Sequence, residues 1–428
     1  MIKALGNAWS VPELRRKLMF TAVLIALYRL GCYVPLPGVN REALAAGLDT
    51  SENAITGLFG IFTGGAFNNL SVFSLGIMPY ITASIVLQLM TVALPRLQEL
   101  AKEGETGQQK ITQYTRYLTL GLAFLQAVAM MFFFRSGQVF PGVLTGATVL
   151  DSYLIVMTLT AGTMLIMWLG ELITQRGLGN GISLIISAAI LSRAPSAIQS
   201  LFEQGNIMNI VILAALTVLI IAAIVFVNEG QRRIPITYAK RQVGRRMTQG
   251  GTTYLPLKVN MAGVIPIIFA SSLLIFPAIL AQFAAGERGT ILGQLAAFFA
   301  PGNAPYLILY GLLVVMFTYF YTAVQFNPLD HADNLKKSGG YIPGIRPGQP
   351  TAVYLNNVLT KITLFGAIFL AAVAVLPYFI AGIMNLGSRI SLGGTSILIV
   401  VGVSLDMVRQ LESQLMMRNY EGFLRRKR

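Results

Sequence analysis

Ten long apolar stretches divide this chain, and they restrict its fold more than any other feature. A membrane helix rises 1.5 Å per residue, so about 20 apolar residues are needed to cross roughly 30 Å of hydrocarbon. The stretches cover residues 18–35, 75–94, 117–134, 152–170, 181–198, 207–227, 261–283, 305–326, 362–382 and 390–408. Of the 428 residues, 55% are hydrophobic and only 11% are charged. The sequence therefore predicts an all-α polytopic membrane protein with ten transmembrane helices.

The basic residues are distributed asymmetrically around these stretches. The chain has 32 Lys and Arg against 17 Asp and Glu. With the N-terminus inside, 26 of the 32 fall in inner segments, four in outer segments, and two, Arg29 and Arg193, within spans. Basic loops beside membrane helices stay on the cytoplasmic side. The distribution predicts ten spans with both termini in the cytoplasm, because nine spans would remove the asymmetry.

Spans two and seven occupy the same place in two groups of five, and both contain residues that bend helices. Span two opens with Met78 and Pro79, and span seven contains Gly263, Pro266 and Pro277. Interrupted spans at corresponding positions are typical of inverted repeats with a site between them. We therefore predict two pseudo-symmetric five-helix halves, residues 1–200 and 201–428, although the halves share no clear residue-level repeat.

Residues 57–76 form an apolar segment that fits neither a spanning helix nor an exposed loop. Five glycines are spread through it among phenylalanines, leucines and isoleucine. Non-helical backbone survives at membrane depth only where protein or a water-filled cavity surrounds it. The pattern predicts a short re-entrant helix over residues 62–73. The alternative is an outer loop that lies on the lipid interface.

Two inner loops, residues 228–260 and 327–360, are longer than tight connections need to be. In the first loop, alternating stretches at 234–239 and 252–259 predict a β-hairpin. Its cationic tip carries Lys240, Arg241, Arg245 and Arg246. In the second loop, prolines and glycines around Arg346 predict a rigid turn that projects this side chain. These residues suit an acidic or nucleic-acid partner; the alternative is that they only fix orientation and attract anionic lipid headgroups.

Residues that carry chemistry are scarce. The chain has no Walker A phosphate-binding motif, no His-Glu-x-x-His motif, one histidine and one cysteine. The sequence therefore predicts no cofactor, no metal site and no enzymatic activity. An ion-coupled transporter, which ten spans would permit, keeps an ionisable group near mid-membrane, but Asp151, Glu171 and Asp406 all fall near span ends. We expect Arg29, the exception, to snorkel or pair near the outer end of span one.

Six motifs occur in order along the chain: GIMPYI at 76–81, QYTRY at 113–117, GLGNGIS at 177–183, LKVNMAGVIP at 257–266, ADNLKKSG at 332–339 and PGIRPG at 343–348. Together they resemble the bacterial SecY family of protein-translocation channels. The resemblance extends from residue 12 to about residue 420. Residues 62–73 and the outer loops match this family in character only.

The resemblance implies two halves around a central pore, with a plug on the outer side. The pore ring would be Ile77, Ile81, Ile186, Ile268 and Ile399. The plug would be Phe62, Thr63, Gly64, Gly65, Ala66, Phe67, Asn68, Asn69 and Leu70. A lateral gate between spans two and three on one side and seven and eight on the other would be lined by Thr82, Gln88, Asn260 and Phe276. Branched side chains at such a constriction exclude water and ions by dewetting, yet move apart around a passing chain.

The resemblance also implies a function and partners. The chain would be the passive, gated, pore-forming subunit of a translocase in the bacterial plasma membrane, with a secondary solute or ion transporter as the alternative. Expected partners are the small membrane subunits SecE and SecG, the SecA ATPase, the ribosome through its RNA, preproteins with their signal sequences, and membrane lipid. The residues expected to contact cytoplasmic partners are Lys240, Arg241, Arg245, Arg246 and Arg346.

Overall fold

The structure is a computed structural model that describes Trp9 and residues 11–39, 60, 63–135, 148–203, 207–238, 241–243, 246–248, 251–284, 298, 303–383 and 394–425. Most of these residues are helical. The helices are α1 (Pro12–Gly31), α2 (Met78–Ala93), α3 (Pro95–Lys102), α4 (Glu105–Arg135), α5 (Val149–Arg176), α6 (Gly181–Glu203), α7 (Ile207–Glu229), α8 (Ile265–Ala284), α9 (Ala304–Gln325), α10 (Pro328–Ser338), α11 (Gln349–Ile383) and α12 (Gly394–Arg425).

A helix occupies each of the ten predicted spans. These helices are α1, α2, α4, α5, α6, α7, α8, α9, α11 and α12, while α3 and α10 lie in the predicted inner connections. Within the described ranges, five helical stretches are long and apolar enough to cross a membrane by themselves. A sixth qualifies if α2 and α3, which are bent by 99°, count as one span. The predicted class, an all-α polytopic membrane protein, is confirmed.

Local sequence explains several helix boundaries. The Thr148 hydroxyl accepts from the Asp151 N–H at 3.3 Å, and the Asp151 carboxylate accepts from the Thr148 N–H at 2.9 Å, which makes a capping box at the start of α5. Pro95 begins α3 and stops α2, because its ring cannot continue the preceding helix. Gly339 ends α10 in the left-handed conformation, with a φ of 74°. Pro195, in contrast, lies inside α6.

The spanning helices pack pairwise into a closed circuit. The contacting pairs, in order, are α2–α4, α4–α5, α5–α6, α6–α12, α12–α11, α11–α9, α9–α8 and α8–α2. In addition, α1 packs against α5 and α6, and α7 packs against α6 and α12. The largest buried apolar cluster takes residues from every spanning helix except α4. The core therefore lies where the helices of the circuit face one another.

A small antiparallel sheet is the exception to the helical fold. Its central strand β1 (Gln231–Tyr238) pairs with β4 (Thr252–Lys258) and with a short strand at Gly340–Tyr341. Between β1 and β4, strands β2 (Arg241–Val243) and β3 (Arg246–Thr248) form a two-stranded ribbon. Alternation along β1 buries Ile234 and Ile236 and leaves the residue between them exposed. We number the short strand at Gly340–Tyr341 β5. The hairpin predicted for the first inner loop is confirmed by the pairing of β1 with β4.

Between α1 and α2 the structure corrects the prediction of a re-entrant helix over residues 62–73. Phe62 lies outside the described residues, Thr63 is helical, and residues 64–77 run through successive turns. Gly64, Gly65 and Gly76 have positive φ values, and so does Leu70 at 37°. A right-handed helix cannot include such residues. The prediction was wrong over residues 64–73 because glycines in left-handed conformations impose turns on an otherwise apolar segment.

Residues 63–76, which we call the buried loop, are enclosed by protein except at Asn69, which is exposed. Thr63, Ala66, Ser71 and Ser74 have no exposed surface. An isolated β-bridge joins Ser71 to Pro35, in the chain that follows α1. The burial favours the protein-enclosed interpretation of this segment over a loop that lies on the lipid interface.

We predict that Gly64→Ala destabilises the protein more than Gly65→Ala. Both glycines have positive φ values, 63° and 86°, so either alanine introduces left-handed strain of about 1–2 kcal/mol. A Cβ on Gly64 would also lie 2.9 Å from the Ala189 Cα, whereas a Cβ on Gly65 meets nothing within 4 Å. Overpacking at Gly64 adds about 1–3 kcal/mol. Thermal unfolding of the two purified variants measures the difference, and equal melting temperatures would contradict the packing.

Candidate functional site

Five isoleucines from four helices belong to the central apolar cluster. Ile77 and Ile81 stand at the start of α2, Ile186 in α6, Ile268 in α8 and Ile399 in α12. Their exposed fractions lie between 1% and 5%. Two of the four helices come from residues 1–200 and two from residues 201–428. The structure thus brings all five predicted pore-ring residues into the central apolar cluster. We call these five residues the isoleucine cluster.

The sequence at the start of α2 explains how two of these side chains are placed. The Ile81 N–H donates to the Ile77 carbonyl at 3.1 Å, so the two residues are one helical turn apart on the same face. Pro79 stands in the first turn, where its missing N–H leaves no helical hydrogen bond unmade. Isoleucine is stiff at χ1 and has no polar atom. The cluster can exclude water and ions, but it cannot transfer protons or bind a metal.

The buried loop contacts the isoleucine cluster and a second apolar cluster. Ala66 and Phe73 belong to the same cluster as the five isoleucines. Phe67 and Leu70 belong to the second, with residues of α4 and α5. The other predicted plug residues range from buried (Thr63, Gly64) through half-buried (Gly65, Asn68) to exposed (Asn69). The described part of the predicted plug therefore packs on both clusters.

Hydrogen bonds within the protein satisfy backbone groups of the buried loop. The Leu36 N–H donates to the Leu70 carbonyl at 2.9 Å, and the Val72 N–H donates to the Val34 carbonyl at 3.0 Å. The Ser74 hydroxyl donates to two further carbonyls of the loop at 2.7 and 3.0 Å. Unsatisfied backbone groups in lipid cost several kcal/mol each. These bonds explain how non-helical chain can persist inside a membrane protein.

Three of the predicted lateral-gate residues belong to α2 and α8, two helices that pack against each other. Thr82 and Gln88 are half-buried on α2. The Thr82 hydroxyl donates to the Met78 carbonyl of its own helix at 3.1 Å. Phe276 belongs to α8, and its side chain lies outside the described part of the chain.

Asn260, the fourth predicted gate residue, is held by the end of α7. Its Nδ2 donates to the Asn228 Oδ1 at 2.9 Å and to the Gly263 carbonyl at 3.1 Å. The Asn228 carbonyl also accepts from the Arg409 guanidinium of α12 at 2.7 Å. All three side chains line a cavity of about 210 Å³ beside the starts of α6 and α8. Sequence patterns did not indicate this link; the one available signal was that both asparagines flank the long inner loop.

The two predicted partner-contact surfaces are described to different extents. Arg346 is exposed in a turn that Gly344 and Gly348 shape with φ values of 83° and 102°. The Thr351 hydroxyl donates to the Arg346 carbonyl at 2.8 Å and fixes this turn to the start of α11. In the first inner loop, Arg241 and Arg246 begin β2 and β3. Their side chains, together with Lys240 and Arg245, lie outside the described residues.

A bidentate ion pair joins α4 to α5. Arg116 donates from Nε and Nη2 to the two carboxylate oxygens of Glu171, at 2.9 and 2.6 Å. Such pairs combine charge with fixed geometry. Glu171 is therefore committed to a helix contact and is a poor candidate for ion coupling. Among the described residues, no group of three His, Cys, Asp or Glu side chains could hold a metal ion.

A closed circuit of apolar helices, with a buried apolar cluster to which most of them contribute and a non-helical loop packed on that cluster, is an arrangement typical of membrane channels. The sequence comparison makes the class specific. The SecY family model matches residues 71–408, and the chain belongs to the SecY family.

Known relatives match along nearly the whole chain. The protein translocase subunit SecY of Streptomyces scabiei is 47% identical over 440 residues, which covers 99% of this chain and 100% of that protein. The protein translocase subunit SecY of Mycobacterium bovis is 46% identical over 441 residues, with the same coverage. Neither relative is a solute transporter, so the transporter alternative has no support here.

Solved structures share the fold at low sequence identity. A structure described as a protein-conducting channel superposes with a TM-score of 0.64 at 19% identity, over 93% of this chain and 91% of that chain. Sec61 in the canine ribosome–channel complex from the endoplasmic reticulum has a TM-score of 0.61 at 18% identity, again over 93% and 91% of the two chains. These likenesses establish the architecture.

We predict that removing side chains from the isoleucine cluster makes the resting protein permeable to ions. The double variant Ile81→Gly, Ile268→Gly removes two bulky side chains from the cluster, and water can then wet the centre. Ion conductance across liposomes that contain the variant should rise severalfold. The matched control is Ile166→Gly, Ile224→Gly. It removes two buried isoleucine side chains of the central apolar cluster that are not among the five predicted residues. Equal conductance in both variants would contradict a sealing role for the predicted five.

Proposed function

We propose that this chain is the central pore-forming subunit of a protein translocase. It is a passive, gated channel that passes unfolded preproteins across the membrane and releases apolar segments sideways into lipid. The observation that carries this proposal is the isoleucine cluster, to which four helices of a closed circuit contribute and on which the buried loop packs. Membership of the SecY family supports it.

The chemistry of the cluster suits a seal that must yield to any sequence. Isoleucine side chains make no directional bonds, so a polypeptide that passes between them breaks no specific contact. In the absence of a polypeptide, the same side chains exclude water and ions by dewetting. The buried loop, with its glycines and turns, is the plug in this proposal and covers the cluster in the resting state.

The circuit of helices suggests where the channel opens. We assign residues 1–200 and 201–428 to two halves; the two sides of the circuit where they meet are the α2–α8 contact and the α6–α12 contact. The α7 helix packs on both α6 and α12 and reinforces the second side. The α2–α8 contact has no such reinforcement among the described helices. In our proposal this contact parts as the lateral gate, and the α6–α12 side acts as the hinge.

Energy for transport comes from partners in this proposal, because the chain has no nucleotide-binding motif and acts as a passive conduit. The SecA ATPase or the ribosome would dock on the basic ribbon between β1 and β4 and on the turn that carries Arg346. A guanidinium group is suited to phosphate or carboxylate groups because it can donate two parallel hydrogen bonds. The likeness to a channel solved in a ribosome complex is consistent with this docking face.

Membrane partners and location follow from exposed apolar surface and from charge. Val218, Leu219 and Phe226 on α7 are largely exposed, and lipid or the small subunits SecE and SecG would cover them. The excess of basic residues in alternate loops supports a cytoplasmic position for both termini. We place the protein in the bacterial plasma membrane.

A disulfide across the proposed gate tests the function directly. The chain, with Cys32→Ala, Thr82→Cys and Phe276→Cys, is reconstituted with SecE and the SecA ATPase, and translocation is read as protection of a preprotein from added protease. Oxidation should block protection and a reducing agent should restore it, because a bonded gate cannot part. Each single-cysteine variant is the control. Undiminished protection despite a formed disulfide would refute the gate.

We predict that Arg346→Glu abolishes ATP-driven translocation in the same assay and leaves the protein folded. The exposed turn presents the guanidinium group to the partner, and a carboxylate there repels an acidic or phosphate-bearing surface. Arg346→Lys should retain part of the activity, because it keeps the charge but loses bidentate geometry. The matched control is Lys337→Glu, an equal charge change at an exposed residue of α10. Equal losses in Arg346→Glu and Lys337→Glu would indicate a general charge effect.

A further inference from the structure

Arg29, a charged residue within the first predicted span, contacts the buried loop. It stands in the last turn of α1 and is half-buried. Its Nη1 donates to the Gly64 carbonyl at 2.5 Å, and its Nη2 donates to the Tyr33 hydroxyl at 3.1 Å. The guanidinium carbon also lies 5.2 Å from the centre of the Tyr33 ring. The contact with Gly64 joins α1 to the loop across 35 positions of sequence.

Neighbouring side chains hold the same end of the loop. The Gly64 carbonyl also accepts from the Ser192 hydroxyl of α6 at 3.4 Å. The Tyr28 hydroxyl donates to the Thr63 carbonyl at 3.5 Å, and the Tyr28 ring stacks on Phe73 with centroids 5.9 Å apart. The Ser192 hydroxyl also donates to the Ala189 carbonyl of its own helix at the shorter distance of 2.7 Å. Of the three donors named here, Arg29 is the charged one and makes the shortest contact with the buried loop.

Because Arg29 is charged, moving the buried loop away from it should cost free energy. A charged group in a membrane span is costly unless polar groups surround it. Charge-assisted hydrogen bonds are shorter and stronger than neutral ones. When the loop leaves the isoleucine cluster, Arg29 loses the Gly64 carbonyl and its guanidinium must find another acceptor. Displacement of the loop is thereby penalised.

We propose that Arg29 is a latch that holds the buried loop on the isoleucine cluster. It is a positioning residue, because it acts on the seal through the loop and contacts no transported chain in the resting state. The proposal rests on the proposed function, in which the loop is the plug. The competing explanation is that Arg29 only anchors α1 to lipid headgroups and that its contact with the loop is incidental.

The test measures exposure of the loop independently of transport. In a Cys32→Ala background, Ser71→Cys places a thiol at a fully buried loop position with little change in volume. The full-length chain is reconstituted in liposomes, and its reaction with a water-soluble maleimide is timed. Adding Arg29→Met should speed labelling about tenfold or more, as loss of a charged hydrogen bond implies. Arg29→Lys should have a smaller effect, and Tyr33→Phe, which keeps the contact with Gly64, should have none.

A second thiol distinguishes release of the latch from general loosening. Ser152→Cys, in the same background, lies buried in α5 outside the loop. Unchanged labelling of this thiol in Arg29→Met supports the latch. Equal acceleration at both positions, or no acceleration at the Ser71→Cys thiol, overturns it.

Ion conductance of the same liposomes separates the latch from the proposed function. If labelling and conductance both rise in Arg29→Met, the loop is latched by Arg29 and seals the channel. If labelling rises and conductance does not, the latch stands and the sealing role of the loop fails.

Discussion

The absence of water in the bilayer interior is the constraint on which the rest of this structure depends. Backbone groups there must be satisfied by protein, which is why apolar helices make up most of the described chain. The buried loop is not helical and must find partners for its backbone groups elsewhere in the protein. It can do so because the chain after α1, its own serine hydroxyls and donors from α1 and α6 supply its hydrogen bonds.

The buried loop and the isoleucine cluster are held by two kinds of interaction, one directional and the other non-directional. Apolar contacts of the cluster are non-directional and, in our proposal, can re-form around a passing chain of any shape. Hydrogen bonds to the loop are directional and hold one arrangement. A channel that must stay closed without a substrate and open for many substrates benefits from both, since the bonds define the resting state and the apolar contacts tolerate the open one.

Hydrogen bonds at the end of α7 link the base of the hairpin to neighbouring helices. Asn228, in the last turn of α7, accepts hydrogen bonds from Asn260, which precedes α8, and from Arg409 of α12. The base of the hairpin is thus hydrogen-bonded to α12 and to the segment that leads into α8. The α8 helix also forms one side of the contact with α2, the gate in our proposal.

The helical membrane class, a helix in each predicted span and the hairpin were predictable from sequence, because apolar length and alternation are local properties of the chain. The five isoleucines of the cluster were expected from the family resemblance and not from helical spacing. The helix predicted over residues 62–73 was wrong for residues 64–73, where glycines impose turns on a segment whose composition suggested a helix. Three features depend on packing between distant parts of the chain: which helices close the circuit, the bond between Asn260 and Asn228, and the contact of Arg29 with the Gly64 carbonyl. Periodicity shows that a face is apolar or that a charge must be satisfied, but the partner that covers the face or meets the charge comes from distant sequence and is fixed by packing.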